Sequence, residues 1–197
     1  MRNVLFKIVF LFALSFSFIE VHAQYKIEQD EWAPDDTYGR LVSTGYHVCG
    51  SFFDKVPLSL AGQYQSAQKC YHISCLFSLY APCKLPPKVY ILLKRKNGDI
   101  LEFTSNYAKS GTQKKETRLD GKTFYRYETV INFEVAEEKV KEIINAQIVK
   151  VRFQTENQPL DKVFKNNDFS NTLYMSYVSI LRRIYPERFK DELREGF

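Results

Sequence analysis

The Asn97-Gly98 dipeptide in Lys88–Thr104 (KVYILLKRKNGDILEFT) constrains this chain more than any other feature. Two apolar runs flank it, the strongest short-range sign of a β-hairpin. The register follows from burial. A two-residue turn would pair Leu93 with Glu102 and Lys94 with Leu101, mixing apolar and charged residues on both faces. A three-residue loop, Lys96-Asn97-Gly98 with Gly98 at positive φ, pairs Leu93 with Leu101 and Ile91 with Phe103. Val89, Ile91, Leu93, Leu101 and Phe103 then share one face, so burial selects this register.

The rest of the chain supports a β-rich reading. Lys122–Val135 alternates strictly, with Tyr125, Tyr127, Thr129, Ile131, Phe133 and Val135 on one face. Arg126, Glu128, Asn132 and Glu134 lie on the other, as in a half-buried antiparallel strand. Arg40–Val48, Tyr71–Tyr80 and Gln147–Gln154 also read as strands. Gln24–Gly39 lacks periodicity and reads as an irregular lead-in docked through Trp32. Gly50–Lys69 reads as a long excursion with a short helix at Ser59–Gln68, and Ser105–Gly121 as a mobile polar loop. A short helix is expected near 136–146. A C-terminal amphipathic helix near 168–185, capped by Asp168, carries Leu173, Tyr174, Tyr177, Ile180, Leu181 and Ile184 at helical spacing. The expected fold is one α+β domain over 40–197. Five to seven mainly antiparallel strands form a sheet or sandwich, with the C-terminal helix packed on it.

Residues 1–23 read as a cleaved signal peptide. Arg2 and Lys7 precede the apolar run Ile8–Ile19, and Val21-His22-Ala23 places small residues at the cleavage positions. That run is short of the ~20 residues a bilayer span needs. The mature chain is therefore expected to be exported, periplasmic or secreted, with no membrane span. Removing this segment changes the net charge from +5 to +4, with the signs interspersed. Short basic clusters at Lys94-Arg95-Lys96, Lys114-Lys115 and Arg182-Arg183 give no concentrated footprint for nucleic acid.

Cys49, Cys70, Cys75 and Cys83 are an even set in a chain read as exported, so a disulfide-stapled scaffold is expected. Cys70 and Cys75 sit an odd number apart on one strand and should point to opposite faces. The first expectation is Cys49–Cys70 with Cys75–Cys83, the second Cys49–Cys75 with Cys70–Cys83. A competing reading is a metal site. His47-x-Cys49 and Cys70-x-His72 form a palindrome, and antiparallel pairing would gather His47, Cys49, Cys70 and His72 into a structural zinc set.

No nucleophile elbow, phosphate-binding glycine loop or dinucleotide fingerprint occurs, and no cofactor is implied. Over roughly residues 88–184 there is an Asn-Gly hairpin, a long alternating strand and a short charged helix. Ile148–Phe153 (IVKVRF) follows, and Asp168–Arg183 (DFSNTLYMSYVSILRR) closes the succession. This order resembles uncharacterised exported bacterial β-rich domains with a C-terminal helix. The resemblance implies a fold and a compartment and carries no activity. The functional expectation is a non-catalytic exported module binding a protein or glycan partner. One alternative is a small hydrolase or metal/thiol enzyme using His47 and His72. Another is an exported inhibitor or immunity-type protein.

Overall fold

A computed structural model describes residues 25–32, 39–50, 56–105, 107–109, 114–119, 122–156 and 159–189. The expected signal peptide lies outside the described residues. Strands β1 (Ile27–Trp32), β2 (Arg40–Thr44), β3 (His47–Cys49), β4 (Leu58–Gln65) and β5 (Cys70–Leu79) come first. Then follow β6 (Tyr90–Arg95), β7 (Ile100–Thr104), β8 (Tyr107–Lys109), β9 (Lys114–Leu119) and β10 (Lys122–Ala136). Helix α1 (Glu137–Asn145), β11 (Ile148–Phe153), β12 (Leu160–Val163), α2 (Asp168–Ile184) and a 3-10 turn at Pro186–Phe189 complete the order. The fold is mixed α+β and mainly antiparallel, as the sequence patterns imply.

The larger sheet runs β1-β2-β4-β5-β10-β8, with β3 also beside β4 and β9 also beside β10. The smaller runs β12-β11-β6-β7. The hairpin adopts the register selected by burial. Ile91 faces Phe103, Leu93 faces Leu101, and Gly98 has φ +99°. A side chain at that φ would be strained, which is why glycine holds the loop.

Alternation in β4, β5 and β10 gives the larger sheet one buried face. Leu58, Leu60, Tyr64, Tyr71, Ile73, Cys75, Phe77, Ile131, Phe133 and Val135 lie on it. The smaller sheet covers part of this face: Phe77 meets Phe153 edge-on at 4.5 Å between ring centres, and Phe103 meets Phe133 at 5.6 Å. These contacts make a two-layer sandwich over β5 and β10.

Helix α2 covers the adjoining part, over β2, β3 and β4. It approaches through small residues. Ser170, Thr172, Ser176 and Ser179 are buried, whereas Tyr174 of the expected apolar stripe is exposed. Ser176 Oγ lies 2.7 Å from Thr44 Oγ1, which accepts the Gly62 amide at 3.1 Å. A Cβ at Gly62 would sit 2.5 Å from Ser176 Oγ. Rotating the serine aside would break its buried hydrogen bond, so the space cannot be opened cheaply. Gly62→Ala is expected to destabilise the chain by about 1–3 kcal/mol, the range for overpacked cores, as read from a urea midpoint.

Helix α1 docks on α2 by polar contacts. Ser170 donates to the carbonyls of Ile143 (2.9 Å) and Ala146 (2.7 Å), and the Tyr177 hydroxyl donates to Glu137 (3.0 Å). The first two contacts fall at the C-terminal end of α1, where the Ile143 carbonyl also accepts the Ala146 amide at 3.2 Å.

Four expectations are corrected. Ile27–Trp32 forms an edge strand within the 24–39 segment expected to be irregular, and Trp32 is 70% exposed and does not dock. Leu58–Gln65 is a strand and not part of a helix, because Leu58, Leu60, Gly62 and Tyr64 alternate with residues of the outer face. The described parts of Ser105–Gly121 pair with β10 as β8 and β9. Asp168 opens α2, and its N-cap is Asn167.

Two carboxylates fasten the edges. Asp30 of β1 takes a forked pair from Arg40 of β2 (2.8 and 3.1 Å) and a further bond from Arg183 of α2. Asp161 takes a fork from Arg152 directly across the strand pair (2.7 Å twice) and an ion pair from Lys150 at 2.6 Å. The arginine hydrogen bonds hold both carboxyls at about 2, below the ordinary 3.8. Their folded values lie below the unfolded ones, so their stabilisation is complete above about pH 5 and lost as pH falls from about 4 toward 2. Screening limits the Asp30 share to about 1 kcal/mol. Melting temperature is expected to fall across this window, and Asp30→Asn to flatten part of the fall.

Candidate metal centre

The chemistry-bearing residues of the first half are sorted by strand parity. Cross-strand partners share a face, and neighbours along a strand alternate. His47 and Cys49 pair with Leu60 and Leu58 of β4, and so lie on the buried face. Cys75 is also on that face, opposite Leu60. Cys70 and His72 pair with Gln65 and Gln63, on the outer face.

This parity dissolves both cysteine expectations. All four cysteines are free thiols, so the disulfide staple is not formed. Cys49 and Cys70 point to opposite faces, and β4 stands between Cys49 on β3 and Cys75 on β5. Cys70 and Cys83 lie at and beyond opposite ends of β5, and Cys83 instead lines a cavity of about 240 Å³ with Val56, Leu79 and Leu160. The palindromic set His47, Cys49, Cys70, His72 is likewise split by the sheet. β3 pairs with β4 and not with β5.

The buried-face residues are quiet chemically. His47 stacks on Tyr25 at 3.4 Å between ring centres, and burial holds its pKa below the usual value. Burial pushes the Cys49 thiol up to about 12 and raises Cys75 well above its ordinary range. Burial also raises Cys83. Such thiols are poor nucleophiles.

On the outer face a different set converges. Cys70 and His72, two apart on β5, point the same way. Glu134 of β10 lies directly opposite His72. Ligand atoms of Cys70, His72 and Glu134 all lie within 4.8 Å of one another, and Cys70 Sγ is 3.5 Å from His72 Nε2. Cys70 is 6% exposed, His72 half-buried and Glu134 exposed. The thiol donates to Gln68 Oε1 at 3.5 Å. Burial, with Glu134 alongside, raises the Cys70 pKa; burial lowers that of His72, against the pull of Glu134.

Two chemistries use such a trio. A nucleophilic triad needs the carboxylate behind the imidazole, orienting it, and a thiol made easier to ionise. Here Glu134 acts on the thiol itself and makes ionisation harder. A metal ion reverses that logic, because three donors of mixed S, N and O type around one cation are mutually supportive. Zinc–sulfur and zinc–nitrogen bonds at a tetrahedral angle place S and N about 3.6 Å apart. The Sγ–Nε2 separation of 3.5 Å fits this without rearrangement.

His72 and Cys70 were legible as candidates, and Glu134 was not. No family model, no curated protein and no solved structure matches the chain. No helix among the described residues is long and apolar enough to cross a membrane.

Proposed function

We propose that this protein binds one divalent transition-metal ion, Zn²⁺ being the best fit, through Cys70, His72 and Glu134. The observation that carries the reading is the convergence of three donor atoms on adjacent strands, with Cys70 Sγ and His72 Nε2 at a zinc-like spacing. The ion replaces the thiol proton of Cys70, and the imidazole enters neutral at no proton cost. The basic-then-apolar amino terminus supports an exported setting. There, coordination keeps the Cys70 sulfur from oxidative pairing.

This reading displaces a general protein- or glycan-binding module. Trp32 and Tyr107, two of the exposed aromatics, lie on β1 and β8, at opposite edges of the larger sheet, and do not share a platform.

Titration of the purified, reduced protein with Co²⁺ and Zn²⁺ tests the proposal. One equivalent of Co²⁺ is expected to bind with a thiolate-to-cobalt charge-transfer band, displaced by Zn²⁺. Cys70→Ala and His72→Ala are expected to lose the band, and Cys83→Ala to keep it. Absence of the band in the wild-type protein removes the reading.

A further inference from the structure

We propose that Gln65 is a fourth protein ligand of this centre, through its side-chain oxygen, so that the site is closed and structural and not hydrolytic. The inference rests on the metal reading and deepens it. Gln65 is the last residue of β4 and pairs in register with Cys70, the first residue of β5. Directly paired residues of an antiparallel ladder carry their side chains on the same face, with Cβ atoms about 5 Å apart. The Gln65 side chain therefore leaves the sheet on the same face as the Cys70 thiol, from the strand on the other side of β5 from β10.

Gln65 Oε1 is shielded from solvent and has no hydrogen-bond partner among the described residues. A buried acceptor without a donor is costly, and a cation next to Cys70 satisfies it. The neighbouring glutamines do not compete. Gln68 is exposed, so water satisfies its Oε1 when the Cys70 thiol loses the proton it donates there, and Gln63, opposite His72, has no orphaned atom.

The count of protein ligands decides the chemistry. Three leave a position for an activated water, as in hydrolytic zinc sites, whereas four close the shell. Gln65 completes S, N, O and O donors from three consecutive strands of the sheet, β4, β5 and β10. A metal held this way ties the ends of those strands together.

Co²⁺ reports both coordination and ligand identity, so it separates this inference from the reading beneath it. Wild type is expected to show the charge-transfer band together with intense visible bands of four-coordinate cobalt. Gln65→Ala should keep the charge-transfer band, lose visible intensity as water enters, and bind at least roughly tenfold more weakly. Gln65→Glu, which restores an oxygen at the same place, should recover both. The metal-free melts of the variants show whether the fold is retained. Unchanged visible bands in Gln65→Ala, whether or not affinity shifts, overturn the ligand role of Gln65 and leave the three-residue centre standing. No charge-transfer band in wild type overturns both.

Discussion

Phe77→Ala is expected to destabilise the protein by about 3–5 kcal/mol, the range for removing a fully buried aromatic ring. Phe77 is 0% exposed, and its ring meets Phe153 of the smaller sheet edge-on at 4.5 Å. It sits in mid-sheet, paired with Leu58 of β4 on one side and Thr129 of β10 on the other. Alanine there leaves a void bordered by three strands, each held in place by its ladder. The walls cannot collapse without breaking backbone hydrogen bonds. The edge-to-face contact with Phe153 adds a directional part that a smaller apolar residue does not recover. Domains of this size are stable by only about 5–15 kcal/mol, so the loss is a large share of the total. A urea melt should show the midpoint falling with an unchanged slope. A loss below about 1 kcal/mol would mean that the two sheets do not meet at this ring.

The patterns that betrayed the fold were the ones with local causes. The Lys96-Asn97-Gly98 loop fixed its register because only one pairing buries Ile91, Leu93, Leu101 and Phe103 together. The alternation of Lys122–Val135 named the buried face from Thr129 to Val135, while Tyr125 at the other end of that face is exposed. Strand β4 escaped for an instructive reason. Leu58, Leu60, Gly62 and Tyr64 alternate properly, but Gly62 reads as a breaker when nothing shows what approaches it. What approaches is Ser176, on a helix more than a hundred residues away in the chain. Strand β1 escaped because its ladder with β2, and the reach of Arg40 and Arg183 to Asp30, involve partners that no periodicity within Ile27–Trp32 announces.

The candidate site was half legible for the same reason. Strand period alone puts Cys70 and His72 on one face and Cys75 on the other. The choice of partner strand is a long-range matter. Matching the His47/Cys49 pair to Cys70/His72 assumed that β3 and β5 are neighbours, and β4 lies between them. Glu134 was readable as an outward residue of its strand. Its position opposite His72 depends on the register of β10 against β5, set by packing of Ile131 and Phe133 beneath the sheet. The disulfide expectation failed at the same step. Compartment and an even count say that cysteines can pair, and only topology says which sulfurs meet.

Zinc is expected to stabilise the folded chain, and Cys70→Ala to abolish that effect. A ligand that binds only the native state adds RT ln(1 + [L]/Kd), about 2.7 kcal/mol at a hundredfold excess over Kd. For a chain of this length each kcal/mol moves the melting temperature by about 2–4 °C, so an upward shift of about 5–10 °C is expected. Cys70, His72 and Glu134 come from β5 and β10, the most extensively paired strands of the larger sheet, so breaking the site requires parting that pair. A chelator should return the wild-type protein to its metal-free melting temperature. Cys70→Ala removes the sulfur donor and leaves His72 and Glu134, an imidazole and an exposed carboxylate that hold zinc weakly. Its own metal-free cost should be small, because the side chain lies on the outer face and is not part of the hydrophobic cluster between the sheets. Melting of both proteins with and without Zn²⁺ therefore isolates the site from the fold. Equal shifts in wild type and Cys70→Ala would place the stabilising ion elsewhere on the surface, and the Cys70 centre would fall with that result.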